Sequence, residues 1–396
     1  MSMSQYFAFE YRGLLDVGAG SISQIGCRFE NMGARRIGII TDKGLVDAGV
    51  VDMVKDVLDA QRFPVVAGVY DKIEVDAKSS IINDCIRWCG EMGVEGLLAV
   101  GGGSVMDSVK AVKTMMAFGV RDVTEIMRGT AGSHIGLKVR PITFPHIAVP
   151  TTAGTGAESS PVAVVLIEES DLKGSIMHPD LPANVAVLDP TVTYSLPPRL
   201  TAETGCDALS HCMEAYFCMN SNSISDALAL HAVRLIKKYL PIVIQNGRNV
   251  EARTQMLIAS NMAMQAYSMA ATSAPIHNCS HAIGAKLHIS HGLANGVLMS
   301  TVMKVLAPFY AMRITDFAEA FGIKTEGVAP IDITYATVEA LENFKKECGI
   351  PACFAQSLNA EDKEDLRIRI KADIAGFTFP LPMEAIDAIM ALSFVQ

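Results

Sequence analysis

The strongest constraint on the fold is a change of rhythm near residue 190. Before it, short β-branched runs alternate with amphipathic stretches: IGIIT (37–41), LVDAGVVDMVKDVLDA (45–60), VVAGV (65–69), a helical pattern around 77–92, LLAV (97–100) and a further helix from Ser104. HIAVP (146–150), VAVVLI (162–167) and VAVLDP (185–190) add three more short strands. Such alternation predicts parallel strands joined by crossover helices, because a parallel pair needs a connection that returns to the same end of the sheet. After Pro190 the chain carries long helical patterns rich in Ala, Leu and Met through to Gln396, with almost no strand-like alternation. The expected architecture is an α/β N-terminal domain on a mostly parallel sheet (residues 1–193), followed by an all-helical C-terminal domain (residues 194–396). The joint falls in DPTVTYSLPPRLT (189–201), where three prolines interrupt both ladders and helices.

Composition narrows the class. Half of the 396 residues are apolar, enough for one large core or two ordinary ones. Lys and Arg number 33 against 42 Asp and Glu, a net charge of -9, so no overall basic field exists to grip a phosphate backbone and nucleic acid is not an expected partner. Nine scattered cysteines without a CxxC pair suit a reducing compartment, and the amino terminus lacks the basic and apolar regions of a secretory signal. No apolar run reaches the roughly 18 residues of a membrane span. The expectation is a cytoplasmic protein with no membrane partner. A mean hydropathy of +0.30 then reads as a thick core or a subunit interface, so a homo-oligomer, dimer or higher, is expected.

The segment EGLLAVGGGSVMDSVKAVKTMMA (95–117) runs from a buried strand through Gly101, Gly102, Gly103 and Ser104 directly into an amphipathic helix. Glycines let backbone approach a ligand, and the amides of a helix N-terminus favour a pyrophosphate. The position at the carboxyl end of a strand is where open α/β sheets bind ligands. A tight strand-to-helix turn with Ser104 as its cap explains the same residues. VPTTAGTGAESSP (149–161) is a second candidate loop, offering Thr151, Thr152 and Thr155 to a sugar or phosphate, with a plain surface turn as the alternative. Asp42 ends IGIIT, so in a parallel sheet it shares an edge with the glycine loop. There it can accept from ribose hydroxyls and repel a 2′-phosphate, or simply cap the next helix.

Four of the nine histidines, His277, His281, His288 and His291, crowd into APIHNCSHAIGAKLHISHGLAN (274–295). Upstream, TAETGCDALSHCMEAY (201–216) places Asp207 and His211 at i and i+4, and His277 and His281 repeat that spacing. On helices each pair projects from one face, and a carboxylate with several imidazoles suits a divalent first-row ion such as iron(II) or zinc, leaving calcium disfavoured. An ordinary helix pair and hydrogen-bonded structural histidines are the competing explanation. Cys206, Cys212 and Cys279 adjoin these residues but point elsewhere on their helices, and are read as packing thiols. His134, His146, His178 and His231 stand apart and are read as structural or surface residues.

Taken in order, GGGSVMDSVK, PTTAGTGAE, LDP, TGCDALSHCMEAY and IHNCSHAIGAKLHISHGLAN resemble the iron-containing (group III) alcohol dehydrogenase family along most of the chain. The resemblance implies a dehydroquinate synthase-like architecture, with a dinucleotide-binding α/β domain and a helical domain that carries the metal. It matches Asp207, His211, His277 and His291 to the metal ligands, and His281 to a histidine near nicotinamide and substrate. It matches Gly101, Gly102, Gly103, Ser104 and Asp107 to the pyrophosphate loop, Thr151, Thr152 and Thr155 to a second nucleotide loop, Lys173 to a lysine near the ribose, and Asp42 to the carboxylate that favours NAD over NADP. Ser290 departs from the pattern, since proline is frequent before the last ligand; Ser159, Ser160 and His288 depart as well.

The implied activity is reversible oxidation of a primary alcohol or diol to its aldehyde or ketone, with hydride passing to nicotinamide and His281 moving the proton. Iron(II) is the expected metal, with zinc as the alternative. A metal- and NAD-dependent lyase of the dehydroquinate synthase type is the second reading. It requires a basic phosphate-gripping pocket, and around 201–216 and 274–295 the only cation is Lys286. A non-catalytic metal-binding or assembly protein is the third, motivated by the Met-rich stretch 256–270.

Overall fold

A computed structural model describes residues 7–61, 63–127, 140–170, 172–270, 274–376 and 379–395. The chain divides into two compact units, one of residues 10–196 and one in which the described residues 7–9 join residues 197–395.

The first unit is built on six parallel strands, Leu14–Val17 (β1), Arg36–Ile40 (β2), Val65–Tyr70 (β3), Gly96–Gly101 (β4), His146–Pro150 (β5) and Val185–Leu188, which lie in the order β1, Val185–Leu188, β5, β4, β2, β3. Val162–Ile167 (β6) and Leu172–Met177 (β7) form a separate antiparallel ribbon, so Val185–Leu188 is β8. The helices are Ile25–Asn31 (α1), Lys43–Asp47 (α2), Val50–Asp59 (α3), Ser79–Glu91 (α4), Gly103–Phe118 (α5) and Val123–Met127 (α6). Strands β4, β5 and β8 are buried along their whole length, which is why they read as unbroken apolar runs rather than alternations. Successive residues nonetheless serve opposite faces. Leu97, Ala99 and Ala148 meet α4 and α5 through Ile82, Val105 and Val109. Leu98, Val100, Ile147 and Val149 meet α1 and α3 through Phe29, Val54 and Leu58.

Three details differ from the sequence expectation. The stretch 45–60 is two helices, because Gly49 takes a left-handed φ of 72° and ends the first. VAVVLI is a strand, but of the ribbon and outside the main sheet. β1 and β7 were not signalled: β1 is four residues long and largely exposed at the sheet edge, and β7 (LKGSIM) lacks alternation.

The second unit, among its described residues, is helical: Pro198–Phe217 (α7), Ser223–Gln245 (α8), Val250–Ala270 (α9), Pro275–Leu287 (α10), His291–Val305 (α11), Ala307–Ala311 (α12), Ile314–Ala320 (α13), Pro330–Glu347 (α14), Ala360–Ala372 (α15) and Met383–Ser393 (α16). Helix α7 is the hub, packed by α8, α9 and α11 and buried almost without interruption from Thr201 to Phe217. Gly205 permits the closest approach: a Cβ there would lie 2.4 Å from Leu240 Cδ1 of α8. The consequence is that the polar residues of α7, Asp207 and His211 among them, face protein rather than water. No described helix is long and apolar enough to cross a membrane.

Candidate functional site

In the α/β unit, β4 delivers Gly101 to the carboxyl edge of the sheet, and Gly102, extended at φ -89° and ψ -164°, leads into α5. Gly101 and Gly103 are required by packing. A Cβ on Gly101 would sit 2.5 Å from Val105 Cγ2, and one on Gly103 would sit 2.9 Å from Thr155 Cγ2. Gly102 faces Thr152 at van der Waals distance, and the Thr151 N–H donates to the Gly101 carbonyl at 3.0 Å. The two loops singled out in the sequence are therefore one surface, with threonine hydroxyls beside the opening turn of α5. Asp42 lies two residues past the end of β2, the neighbour of β4, at the same edge; its Oδ1 accepts from Leu45 N–H at 3.0 Å and caps α2.

Three further expected cofactor residues, Ser104, Asp107 and Lys173, are also engaged with protein. Asp107 accepts from Lys110 Nζ at 3.2 Å and from Val164 N–H at 3.1 Å, bracing α5 against β6. Burial raises Asp107 above the ordinary carboxylate range and lowers Lys110, although each partner's charge opposes the shift. Lys173 Nζ pairs with Asp76 Oδ1 at 2.6 Å, and the Asp76 N–H donates to Ser104 Oγ at 3.1 Å. Asp76, which the sequence reading missed, thus links Lys173 to the glycine loop. It and Ala77 adopt left-handed φ values of 72° and 48°, a local irregularity that no sequence pattern announces.

In the helical unit the expected ligands converge. Asp207 and His211 lie one turn apart on α7, and with His277 of α10 they are buried and offer ligand atoms all within 4.8 Å of one another. His291, opening α11, brings Nε2 to 3.5 Å from Asp207 Oδ1, and His277 Nε2 lies 3.8 Å from the same oxygen. The rings of His211 and His277 stack at 4.7 Å, and those of His277 and His291 lie 5.1 Å apart. Tyr267 of α9 covers His211 and His277 at 4.9 and 5.3 Å.

Two further residues explain why these groups hold their places. Glu214 stands two turns beyond Asp207 on the same face of α7. Its Oε1 accepts from the N–H groups of Ile276 and His277, at 2.6 and 3.2 Å, and its Oε2 meets His277 Nδ1. That contact assigns the ring proton to Nδ1 and turns the Nε2 lone pair toward Asp207. Burial and the neighbouring histidines hold His277 well below the usual imidazole range, the neutral form a cation requires. Burial pushes Glu214 upward, against the two N–H donors. Asn295, one turn beyond His291, places Nδ2 2.8 Å from Asp207 Oδ1 and 3.2 Å from Nε2 of both His277 and His291. An amide donor thus stands where one carboxylate oxygen and two imidazole nitrogens converge. EAY after the DxxxH pair, and HGLAN at i+4, were the available signals for Glu214 and Asn295.

His281 projects from the turn after His277. Its ring lies 5.8 Å from that of His277 and 5.4 Å from that of His291, it is partly exposed, and its Nδ1 bonds Asp373 Oδ2 at 3.1 Å. Asp373 is depressed despite its burial, because His281 sits beside it. His288 serves the backbone, ending α10 in the left-handed conformation at φ 54°. The three neighbouring cysteines are buried, and burial raises the Cys206 thiol to about 12. His134 lies outside the described residues.

Family comparisons agree with this geometry. The family profile described as iron-containing alcohol dehydrogenase matches residues 15–190, and the C-terminal profile of the same family matches residues 201–382. Long-chain-alcohol dehydrogenase 1 of Geobacillus thermodenitrificans is 33% identical over 338 residues, 85% of this chain and 83% of the relative. This chain belongs to the iron-containing alcohol dehydrogenase family. Among solved structures of similar proteins, alcohol dehydrogenase from Oenococcus oeni superposes with a TM-score of 0.87 at 27% identity, covering 98% of this chain and 100% of that one. Sulfoacetaldehyde reductase from Bifidobacterium kashiwanohense, solved in complex with NAD+, gives a TM-score of 0.84 at 27% identity over 98% and 99% of the two chains. As an iron-containing alcohol dehydrogenase with a dehydroquinate synthase-like architecture, the protein is an oxidoreductase of alcohols and aldehydes. The lyase reading and the non-catalytic reading are set aside.

Proposed function

We propose that the enzyme is NAD-linked and metal-dependent, interconverting a primary alcohol or diol and its aldehyde or ketone. Asp207, His211, His277 and His291 hold the ion, iron(II) in preference to zinc. Gly101, Gly102, Gly103, Ser104, Thr151, Thr152 and Thr155 hold the nucleotide, Lys173 reaches the ribose, and Asp107 keeps the glycine loop in place. When bound, the ion supplies a Lewis acid for the substrate oxygen and the nicotinamide a hydride acceptor. The chain supplies the rest. Glu214 and Asn295 orient the ligands, Tyr267 closes the apolar side, and Asp42 disfavours a 2′-phosphate.

His281 is proposed as the group that moves the alcohol proton. Its Nδ1 is anchored on Asp373, which leaves Nε2 to accept, and its partial exposure gives the proton a way to water. The nine free cysteines support a reducing cytoplasm. Exposed Leu14, Leu15 and Val17 on edge strand β1 support a homo-oligomer. The observation that carries the function is the buried convergence of Asp207, His211 and His277 with His291 beside them. Anaerobic reconstitution of the apoprotein with iron(II), zinc and other divalent ions tests it, assayed with primary alcohols, diols and aldehydes and with NAD and NADP in parallel. Turnover that depends on iron(II) and NAD is expected; turnover by metal-free protein would refute it.

A further inference from the structure

The metal-ligating reading leaves a buried carboxylate of α7 unexplained. Glu203 lies one turn before Asp207 on α7 and is only 3% exposed. Its Oε2 accepts from Ser290 Oγ at 2.6 Å and its Oε1 from Arg199 Nε at 2.7 Å. Ser290 immediately precedes His291 and is the N-cap of α11, yet its hydroxyl makes no bond to its own helix. Serine is favoured at that position because the hydroxyl satisfies a free N–H of the first turn. Here it is committed instead to another helix.

A second, independent contact lies beside it. A Cβ on Gly292 would fall 2.5 Å from the Glu203 carbonyl oxygen, so the backbone of α11 touches that of α7 at this point. Both contacts fix the first turn of α11, which carries His291, on the turn of α7 that precedes Asp207. The entry of the chain into α11 is therefore held by the side-chain bond to Glu203 rather than by a cap on its own helix.

Resting on the assignment of Asp207 and His291 as ligands of one ion, we infer that Arg199, Glu203 and Ser290 form a clamp of positioning residues that sets the separation of those two ligands and thereby the affinity for the metal. Glu203 is bonded to Arg199 and Ser290 and is not one of the proposed ligands. It acts through the backbone of α11, with Arg199 neutralising it from the solvent side.

The test uses the full-length apoprotein and cobalt(II) as the probe, titrated anaerobically against a chromophoric chelator, with the visible spectrum of bound cobalt as a second readout. Ser290→Ala is expected to weaken cobalt binding about tenfold, and Ser290→Thr, which keeps the hydroxyl, to restore most of it. The cobalt spectrum of Ser290→Ala should change, because His291 is displaced, while the melting temperature of the apoprotein stays close to wild type. Wild-type affinity in Ser290→Ala would overturn the clamp. So would a loss that Ser290→Thr fails to rescue and that follows a general fall in apoprotein stability. Asp207→Ala separates the two levels: if it binds cobalt like the wild type, the ligand assignment itself is wrong and the clamp falls with it. If Asp207→Ala loses cobalt while Ser290→Ala keeps it, only the clamp is wrong.

Discussion

Replacing Glu214 with Gln changes one buried charge at nearly constant shape. The carboxylate now accepts three hydrogen bonds, from two backbone N–H groups and from His277 Nδ1–H. A carboxamide has one accepting oxygen and one donating nitrogen. If the oxygen faces Ile276 and His277 N–H, the amide nitrogen faces Nδ1, which must then become an acceptor. The ring proton moves to Nε2, the atom facing Asp207, and the lone pair meant for the ion disappears. If the amide is turned the other way, its N–H groups oppose the backbone donors and leave them unsatisfied, at a cost of about 1–3 kcal/mol. Either arrangement disfavours the ion.

Loss of an orienting partner of a metal-bound histidine weakens affinity by roughly 10- to 100-fold, or about 1.4–2.8 kcal/mol. At saturating metal the same amount is lost from the ion's stabilisation of the fold, a fall of roughly 3–10 °C in the metal-induced rise of melting temperature for a unit of this size. Chelator competition on the apoprotein and paired melts with and without iron(II) measure both quantities. Wild-type affinity in Glu214→Gln, with an unchanged metal-induced stabilisation, would refute the tautomer argument.

Further outcomes are expected at separate places. His277→Ala should abolish turnover while NAD binding, followed by nicotinamide fluorescence or calorimetry, is retained; full activity would remove the ion from the reaction. Gly103→Ala pushes a methyl to 2.9 Å from Thr155 Cγ2, so the NAD dissociation constant should rise about tenfold with metal content unchanged, as an overpacking cost of about 1–2 kcal/mol. Asp42→Ser keeps a capping oxygen for Leu45 N–H and removes the charge, so the NADP to NAD ratio of kcat/KM should rise at least severalfold with little change in stability. His146 is wholly buried in the α/β unit with neither ring nitrogen hydrogen-bonded, and burial beside Lys113 and Lys110 holds it well below the usual imidazole range. Its folded pKa is depressed, so the unfolded chain binds the extra proton first, and stability present above about pH 6.5 is lost as pH falls below it, by up to about 1.4 kcal/mol per pH unit. His146→Leu should flatten that part of the pH dependence in urea titrations; an unchanged slope would contradict the assignment.

The sheet was legible wherever burial on both faces left a continuous apolar run, as in GLLAVG, HIAVP and VAVL, and illegible at the short, largely exposed edge strand LLDV. The glycine and threonine loops were each ambiguous between a ligand loop and a plain turn. What relates them is the packing of Thr152 and Thr155 on Gly102 and Gly103, a contact across some fifty residues of chain that local spacing does not encode. Helical spacing, in contrast, encodes Asp207 with His211 directly, because i and i+4 share a face whatever surrounds them.

The sequence by itself determined the kinds of atoms available: a carboxylate and imidazoles at helical intervals, glycines where a strand becomes a helix, and an order of motifs that belongs to one family. The tertiary structure alone decided which of them meet. It drew His277 and His291 from separate helices to Asp207, and chose Glu214, Asn295 and Asp373 as their partners. It also gave Glu203 to Ser290, a pairing across 87 positions. The physical reason is that hydrogen bonds and metal ligands act over about 3 Å, whereas local pattern reports only neighbours along one element. Distances between elements are fixed by the packing of apolar surfaces that say nothing about the polar groups they carry.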